Sequence, residues 1–245
     1  MFGRSRLVAV LLLLQLGMAS TAQAYLPPAD FIVRMLADKR RRIGAVDMSI
    51  LLQTELADAT VVEERLYLKF PERLRWATQD DPERVRVERQ GVRAMGTADK
   101  LTRLSGRPDD LMAVFMMPDG KTLEDTGDRL IAAIKAAGVD MSVVTLARQE
   151  REVAFVIGAE PWERERAQVW IDKNRFLPVR WILNAAAPRG TKWVETRLLE
   201  YGSATSGDWF PQVVERYEGG KLVSRASVVK IDINQNVPET LFDIP

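Results

Sequence analysis

The 245-residue sequence predicts an α+β fold: a large antiparallel sheet, preceded by one helix and interrupted by a helical pair. Three observations predict it. Apolar and polar residues alternate over most of the chain, the period of a half-buried strand. One N-terminal and one central stretch switch to the period of a helix. Strands and helices come in blocks, not in the strict alternation a parallel sheet needs.

Residues 1–24 stand outside that fold. Arg4 and Arg6, the apolar run Leu7 to Leu16 and Ala22-Gln23-Ala24 make a secretory signal peptide with an A-x-A cleavage site. Cleavage is expected before Tyr25, releasing an exported chain of one domain, residues 25–245. The apolar run is about half the ~20 residues of a spanning helix, and no cysteine follows it to carry a lipid. No Pro/Gly/Ser linker and no repeat of fixed period divides the remainder.

Composition excludes much chemistry. Against 34 Asp+Glu stand 35 Lys+Arg, of which the signal peptide takes two, so no net field attracts nucleic acid or an anionic membrane. There is no cysteine, so the core alone must stabilise the chain. There is no histidine, which removes His-based triads, most zinc sites and the usual general base near neutral pH. No catalytic residue, metal or cofactor is expected.

In "ADFIVRMLADKRRR" the residues Phe31, Ile32, Met35 and Leu36 share one helical face, and Gly44 stops the helix. Lys39 to Arg42 suit its C-terminal dipole and read as a solvated end, the alternative being a membrane-docking patch. Residues 46–56 then alternate through Val46, Met48, Ile50 and Leu52. Leu66, Leu68 and Phe70 follow, then Leu74 and Trp76, then Val85 and Val87 against Arg86 and Glu88. Asp80-Asp81-Pro82 and Gln90-Gly91 are turns. The expectation is a meander with one wet face and one apolar face.

Residues 108–117 and 121–137 read as helices, the second stopped by Gly138. Strands resume at Met141–Ala147, Val153–Ile157, the hairpin 169–181, Lys192–Tyr201, Trp209–Tyr217 and Lys221–Ile233. A sheet of roughly ten strands must cover its apolar face, and only the N-terminal helix and the central pair can do so. "LMAVFMM" (111–117) is apolar nearly all round and rich in methionine, a side chain suited to changing partners. It reads either as a core helix or as a lid that exchanges its own contacts for those of a ligand.

Three arrangements imitate active sites. Ser227 and Lys230 match an S-x-x-K pattern, but residues three apart in a strand point to opposite faces. Glu63-Glu64 and Asp80-Asp81 diverge as adjacent residues do. Asp109, Asp110 and Asp119 lack the ligand ladder of a calcium loop.

Several segments taken in order resemble a family. "KFPERLRWATQDDPERVRVERQGVRAMGT" (69–97) is similar to the K-x-P-x-x-x-x-W strand pair of LolA-type periplasmic carriers of outer-membrane lipoproteins, through Lys69, Pro71, Trp76 and Gly91. "VWIDKNRFLPVRW" (169–181) resembles a hairpin shared with RseB-type periplasmic sensors, through Val169, Trp170, Asp172, Leu177, Pro178 and Arg180. "NVPETLFDIP" resembles the closing strand of the same superfamily.

The resemblance implies an unclosed β-barrel whose helices form a lid over an apolar concavity, and acyl-chain binding instead of catalysis. On that basis Leu68, Trp76, Leu111, Phe115, Met116, Leu130, Ile134 and Trp181 are expected to line one apolar pocket between sheet and lid. The implied partners are an acylated lipoprotein or lipid, an inner-membrane ABC-type exporter and an outer-membrane acceptor. The alternative is an RseB-type module sensing lipid or envelope stress through a protein partner, although that sensor has a further domain and this chain stops at Pro245. Trp170 and Trp181 supply rigid wall, toward ligand or toward core. One position departs: the carriers place a lid-holding arginine before the proline of K-x-P, and here it is Phe70. Arg73 and Arg75 alternate onto the other face from Leu74 and Trp76.

Overall fold

Thirteen strands form a single antiparallel sheet in a computed structural model that describes residues 26–78, 84–97, 99–187 and 190–245. The signal peptide, its cleavage site and the Asp80-Asp81-Pro82 turn lie outside the described residues. Helix α1 (Ala29–Ile43) leads into β1 (Asp47–Leu56) and β2 (Val61–Lys69). Next come β3 (Arg73–Thr78), β4 (Val85–Arg89), β5 (Val92–Gly96) and β6 (Leu101–Arg103). The short helix α2 (Met112–Met116) and the longer α3 (Leu123–Ala136) follow. The chain returns through β7 (Val144–Gln149), β8 (Glu152–Ile157), β9 (Gln168–Asp172) and β10 (Pro178–Ala187). It ends with β11 (Gly190–Leu199), β12 (Val213–Glu218), β13 (Lys221–Ile233) and a 3-10 turn (Glu239–Phe242).

Strand order explains the position of the helices. The sheet runs β6-β5-β4-β3-β2-β1-β13-β12-β11-β10-β9-β8-β7, so every pair is a sequence neighbour except β1 with β13. The two edges, β6 and β7, are therefore joined by the segment that contains α2 and α3. That segment must cross the concave face, where the apolar side chains of both arms need cover. One core cluster results, taking in Ile32, Leu36, Leu68, Phe115, Ile134 and Trp181.

Local chemistry shapes the elements. Gly44 caps α1 at φ 71°, a left-handed conformation glycine adopts without Cβ strain. The Thr122 side chain accepts the Asp125 N–H at 3.1 Å, capping α3. α2 is shorter than the helix expected over 108–117, because Asp110 turns the chain just before it: its Oδ1 accepts the N–H groups of Leu111 at 2.7 Å and Met112 at 3.0 Å.

Four expectations need correction. The buried face of α1 is Ile32, Val33, Leu36 and Ala37, and Phe31 is half exposed; the apolar stripe is turned by one position. The β12 strand begins at Val213, not Trp209, because residues 201–209 fold into turns bridged by Ser203 and Gly207. The meander does not keep one apolar face: Trp76 pairs with Arg86 and Leu74 with Glu88, so at β4 the concave side turns charged. Val85 and Val87 point outward and are covered by Val237 and Phe242 of the C-terminal segment. Finally, a bulge in β13 pairs Lys230 with Leu51 and Ser227 with Gln53, which brings Ser227 and Lys230 onto one face. Lys230 binds Asp232 at 2.9 Å instead, so no serine–lysine dyad forms.

Candidate functional site

The hairpin of residues 169–181 shows how local sequence sets the inner wall. Asp172 Oδ1 accepts the N–H groups of Asn174 at 2.9 Å and Arg175 at 2.6 Å, closing the turn between β9 and β10. Val169 pairs with Trp181 and Trp170 with Arg180, so the two tryptophans lie on opposite faces. Trp170 is covered outside by the Arg180 guanidinium, 4.4 Å from its ring centroid, and its indole N–H donates to Gln168 at 2.7 Å. Trp181 faces the helices and packs on Phe115 of α2, centroids 5.6 Å apart.

The structure gathers the expected pocket residues into one region. Leu68, Leu111, Phe115, Met116, Leu130, Ile134 and Trp181 are all fully buried in the core cluster, close-packed between sheet and helices. Trp76 is half-buried against that cluster. It also borders open space, a cavity of about 410 Å³ under the start of the lid segment. Most of the apolar lining comes from Leu56, Trp76, Met95, Met112, Val214 and Ala226, reached from β1, β3, β5, α2, β12 and β13, with Val85 of β4 at its border. Thr54, Glu64, Arg86, Asp110, Thr196, Arg216, Glu218 and Ser224 add polar groups. Of the eight expected residues, only Trp76 touches it. The other lining residues were missed because inward positions with mixed polarity, such as Thr54–Leu56 and Val214–Arg216–Glu218, weaken the alternation that marks a concave face.

Both ends of the lid segment are held by arginines, and none stands at the K-x-P position. At the start, Arg93 donates to Asp109 at 2.5 Å and to the carbonyls of Gly106 and Arg107, while Arg86 reaches Asp109 at 3.2 Å. At the end, Arg40 donates to the Met116 carbonyl at 3.0 Å and Arg41 to that of Gly120 at 3.1 Å. The Glu72 N–H adds a bond to the Met117 carbonyl at 2.8 Å. Thus Arg40 is buried and departs from the solvated helix end expected, satisfying the last carbonyl of α2, while Arg41, though exposed, satisfies the Gly120 carbonyl beyond it. Arg73 and Arg75 bind Glu239 and the Leu241 carbonyl of the C-terminal segment, away from the lid. Phe70 itself is partly exposed beside a 680 Å³ groove that Arg40 and Met116 also line.

Burial makes these charges unequal. Burial alone raises the Asp109 carboxyl, but Arg86, Arg216 and Arg93 outweigh it and hold the group below its ordinary range. Glu88 moves the other way, pushed up by burial that the adjacent Arg86 only partly offsets. Burial lowers Arg40, which has three backbone carbonyls as partners and Lys39 bound to nearby Asp208. The three aspartates weighed as calcium ligands are taken up by arginines, Asp119 by Arg129 at 2.7 Å. Among the described residues, no group of side chains is arranged to hold a metal ion, and no helix is long and apolar enough to cross a membrane.

No family model and no curated protein matches the sequence. Solved structures do. A putative outer membrane lipoprotein-sorting protein domain from Vibrio parahaemolyticus is similar at TM-score 0.51 and 11% identity, over 86% of this chain and 95% of that one. A DUF1329 family protein from Desulfovibrio piger gives TM-score 0.50 and 11% identity, over 89% and 98%. A LolA superfamily protein from Nitrosomonas europaea aligns over 89% and 99% at 12% identity and TM-score 0.49. At such identities the likeness is one of fold. With its edges β6 and β7 unpaired to each other and its concave face crossed by helices, the chain shares the fold of that lipoprotein-sorting protein domain, an unclosed antiparallel sheet with a helical cover.

Proposed function

We propose that this chain is a periplasmic carrier that binds the acyl chain of a lipoprotein or lipid and passes it toward the outer membrane, with no catalytic step. The observation that supports the reading is the cavity itself: about 410 Å³, walled by Trp76, Met95, Met112 and Val214, between an open sheet and a lid tied down by reversible ion pairs. That volume falls within the ~300–1,000 Å³ of small-molecule sites. Each methylene buried contributes about 0.8 kcal/mol. A longer chain enters only if α2 yields, with Phe115, Met116 and Leu111 exchanging contacts with Trp181, Leu68, Leu130 and Ile134 for contacts with ligand. Binding and release then nearly balance, which a carrier between two membranes requires. An inner-membrane exporter of ABC type as donor and an outer-membrane acceptor complete the proposed cycle.

Met95 gives the cleanest test, because it lines the cavity yet is 47% exposed. Met95→Asp is expected to shift the melting temperature little, as surface substitutions usually change stability by less than ~0.5 kcal/mol. Titration with a fluorescent fatty acid is expected to show at least tenfold weaker binding, a difference of about 1.4 kcal/mol. Absence of saturable acyl binding by the unmodified chain would sink the proposal.

A further inference from the structure

The cavity has a polar row on one side of its wall that the acyl reading does not use. Register places four residues side by side on the concave face: Ser224 of β13 pairs with Arg216 of β12, Arg216 with Thr196 of β11, and Thr196 with Trp181 of β10. Ser224, Arg216 and Thr196 all line the cavity.

Glu64, Asp110, Glu218 and Arg86, which also line the cavity, already have hydrogen-bond partners. Glu64 accepts from Thr54 at 2.6 Å, Asp110 from two backbone N–H groups and Glu218 from Lys192. Arg86 donates to Glu88 at 2.8 Å and to Asp109 at 3.2 Å. Arg216 differs. Its nearest carboxylates stand 3.6 Å (Glu218) and 3.8 Å (Asp109) away, beyond hydrogen-bonding distance, and among the described residues its guanidinium makes no hydrogen bond. Neither does either flanking hydroxyl. Beyond them the fully buried Trp181 indole N–H also has no partner among the described residues.

Donors in a row, two hydroxyls around a guanidinium, match an oxyanion. The partner carboxylates do not match it, because each is already satisfied. Volume limits the remainder of the ligand. At the ~30 Å³ share of a water molecule, 410 Å³ holds on the order of fourteen such groups, and a methylene is of similar size. That is about the volume of one acyl chain.

We infer that the cavity takes a single-chain anionic amphipath, its carboxylate or phosphate head on Thr196, Arg216 and Ser224 and its chain along Trp76, Met112 and Val214. This rests on the acyl-binding reading and adds the class of ligand.

The test is displacement of a fluorescent fatty acid by three probes of equal chain length: palmitate, lysophosphatidylglycerol and the uncharged monopalmitoylglycerol. The unmodified chain is expected to prefer at least one anionic probe to the neutral one by tenfold or more, and to lose that preference as salt is raised. Palmitate and lysophosphatidylglycerol together tell a carboxylate site from a phosphate site. In Arg216→Gln the preference is expected to fall below threefold, and in Arg216→Lys to be largely kept. Should Arg216→Gln fail to fold, the double variant Thr196→Val, Ser224→Ala tests the same row. Equal affinity for neutral and anionic probes, or a preference that survives both variants, overturns the headgroup site while leaving acyl binding intact. If none of the probes binds, the acyl reading fails as well.

Discussion

Arg40 shows what a single residue can hide from sequence reasoning. In "DKRRR" it is one cation among four in a last helical turn, yet its side chain is buried and donates to the carbonyls of Met116, Asp208 and Trp209. Its task depends on where the last carbonyl of α2 arrives, 76 residues later, and no local pattern records that. Arg40→Met is expected to lower stability by about 3 kcal/mol, since the carbonyls lose their donor in a dry place. Arg34→Ala, on the exposed side of the same helix, is expected to stay within ~0.5 kcal/mol. Urea unfolding of both variants checks the pair, and equal losses would remove Arg40 from its place in the lid's anchorage. Trp181 was legible in the alternation of β10. The outward place of Trp170, under the Arg180 guanidinium, needed the register.

At the scale of elements, the helical interruption was legible as a switch of period, but the length of α2 was not. Asp109 and Asp110 suit a first helical turn, whereas the chain spends Asp110 on a turn and Asp109 on Arg86 and Arg93. The inverted polarity of β4 escaped for a similar reason: Val85 and Val87 alternate as for a core face, and only the C-terminal segment decides which side is covered. The ion cluster gives the lid a defined pH response. Asp109 is held below its unfolded value of about 3.9, so its contribution is present above that pH and is lost as pH falls through the lower folded value. Glu88, raised by burial, contributes with the opposite sign: its share is present below about 4.3 and is lost as pH rises through its folded value. Amides of residues 105–117 are expected to be protected from hydrogen exchange near neutral pH and to lose protection below about pH 4. Asp109→Asn is expected to be already loosened at pH 7. Protection unchanged in that variant would show that the lid is held elsewhere.

For the whole molecule, the antiparallel α+β class and the helical cover followed from the residues, while the open half-barrel came with the family likeness. Thirteen strands replace the roughly ten expected, because short strands such as Leu101–Arg103 have too few residues to show a period. The cavity was the least legible feature. It is bounded by inward positions from both arms of the sheet, which meet only through the pairing of β1 with β13. The C-terminal segment belongs to the same global arrangement, covering the outward face of β4. Phe242→Ala is expected to cost about 3–5 kcal/mol by leaving a hole over Val85 and Val87. A thermal melt within a degree of the unmodified chain would contradict that role.

A single acyl chain is proposed to occupy the space between sheet and lid. Native mass spectrometry of the chain, isolated from its host without detergent and then exposed to acylated lipoprotein or lysolipid, tests that occupancy. A mass increment of one acylated ligand per chain is expected, reduced by Met95→Asp and by Met112→Asp. The mass of the bare polypeptide alone, after every such exposure, would contradict it.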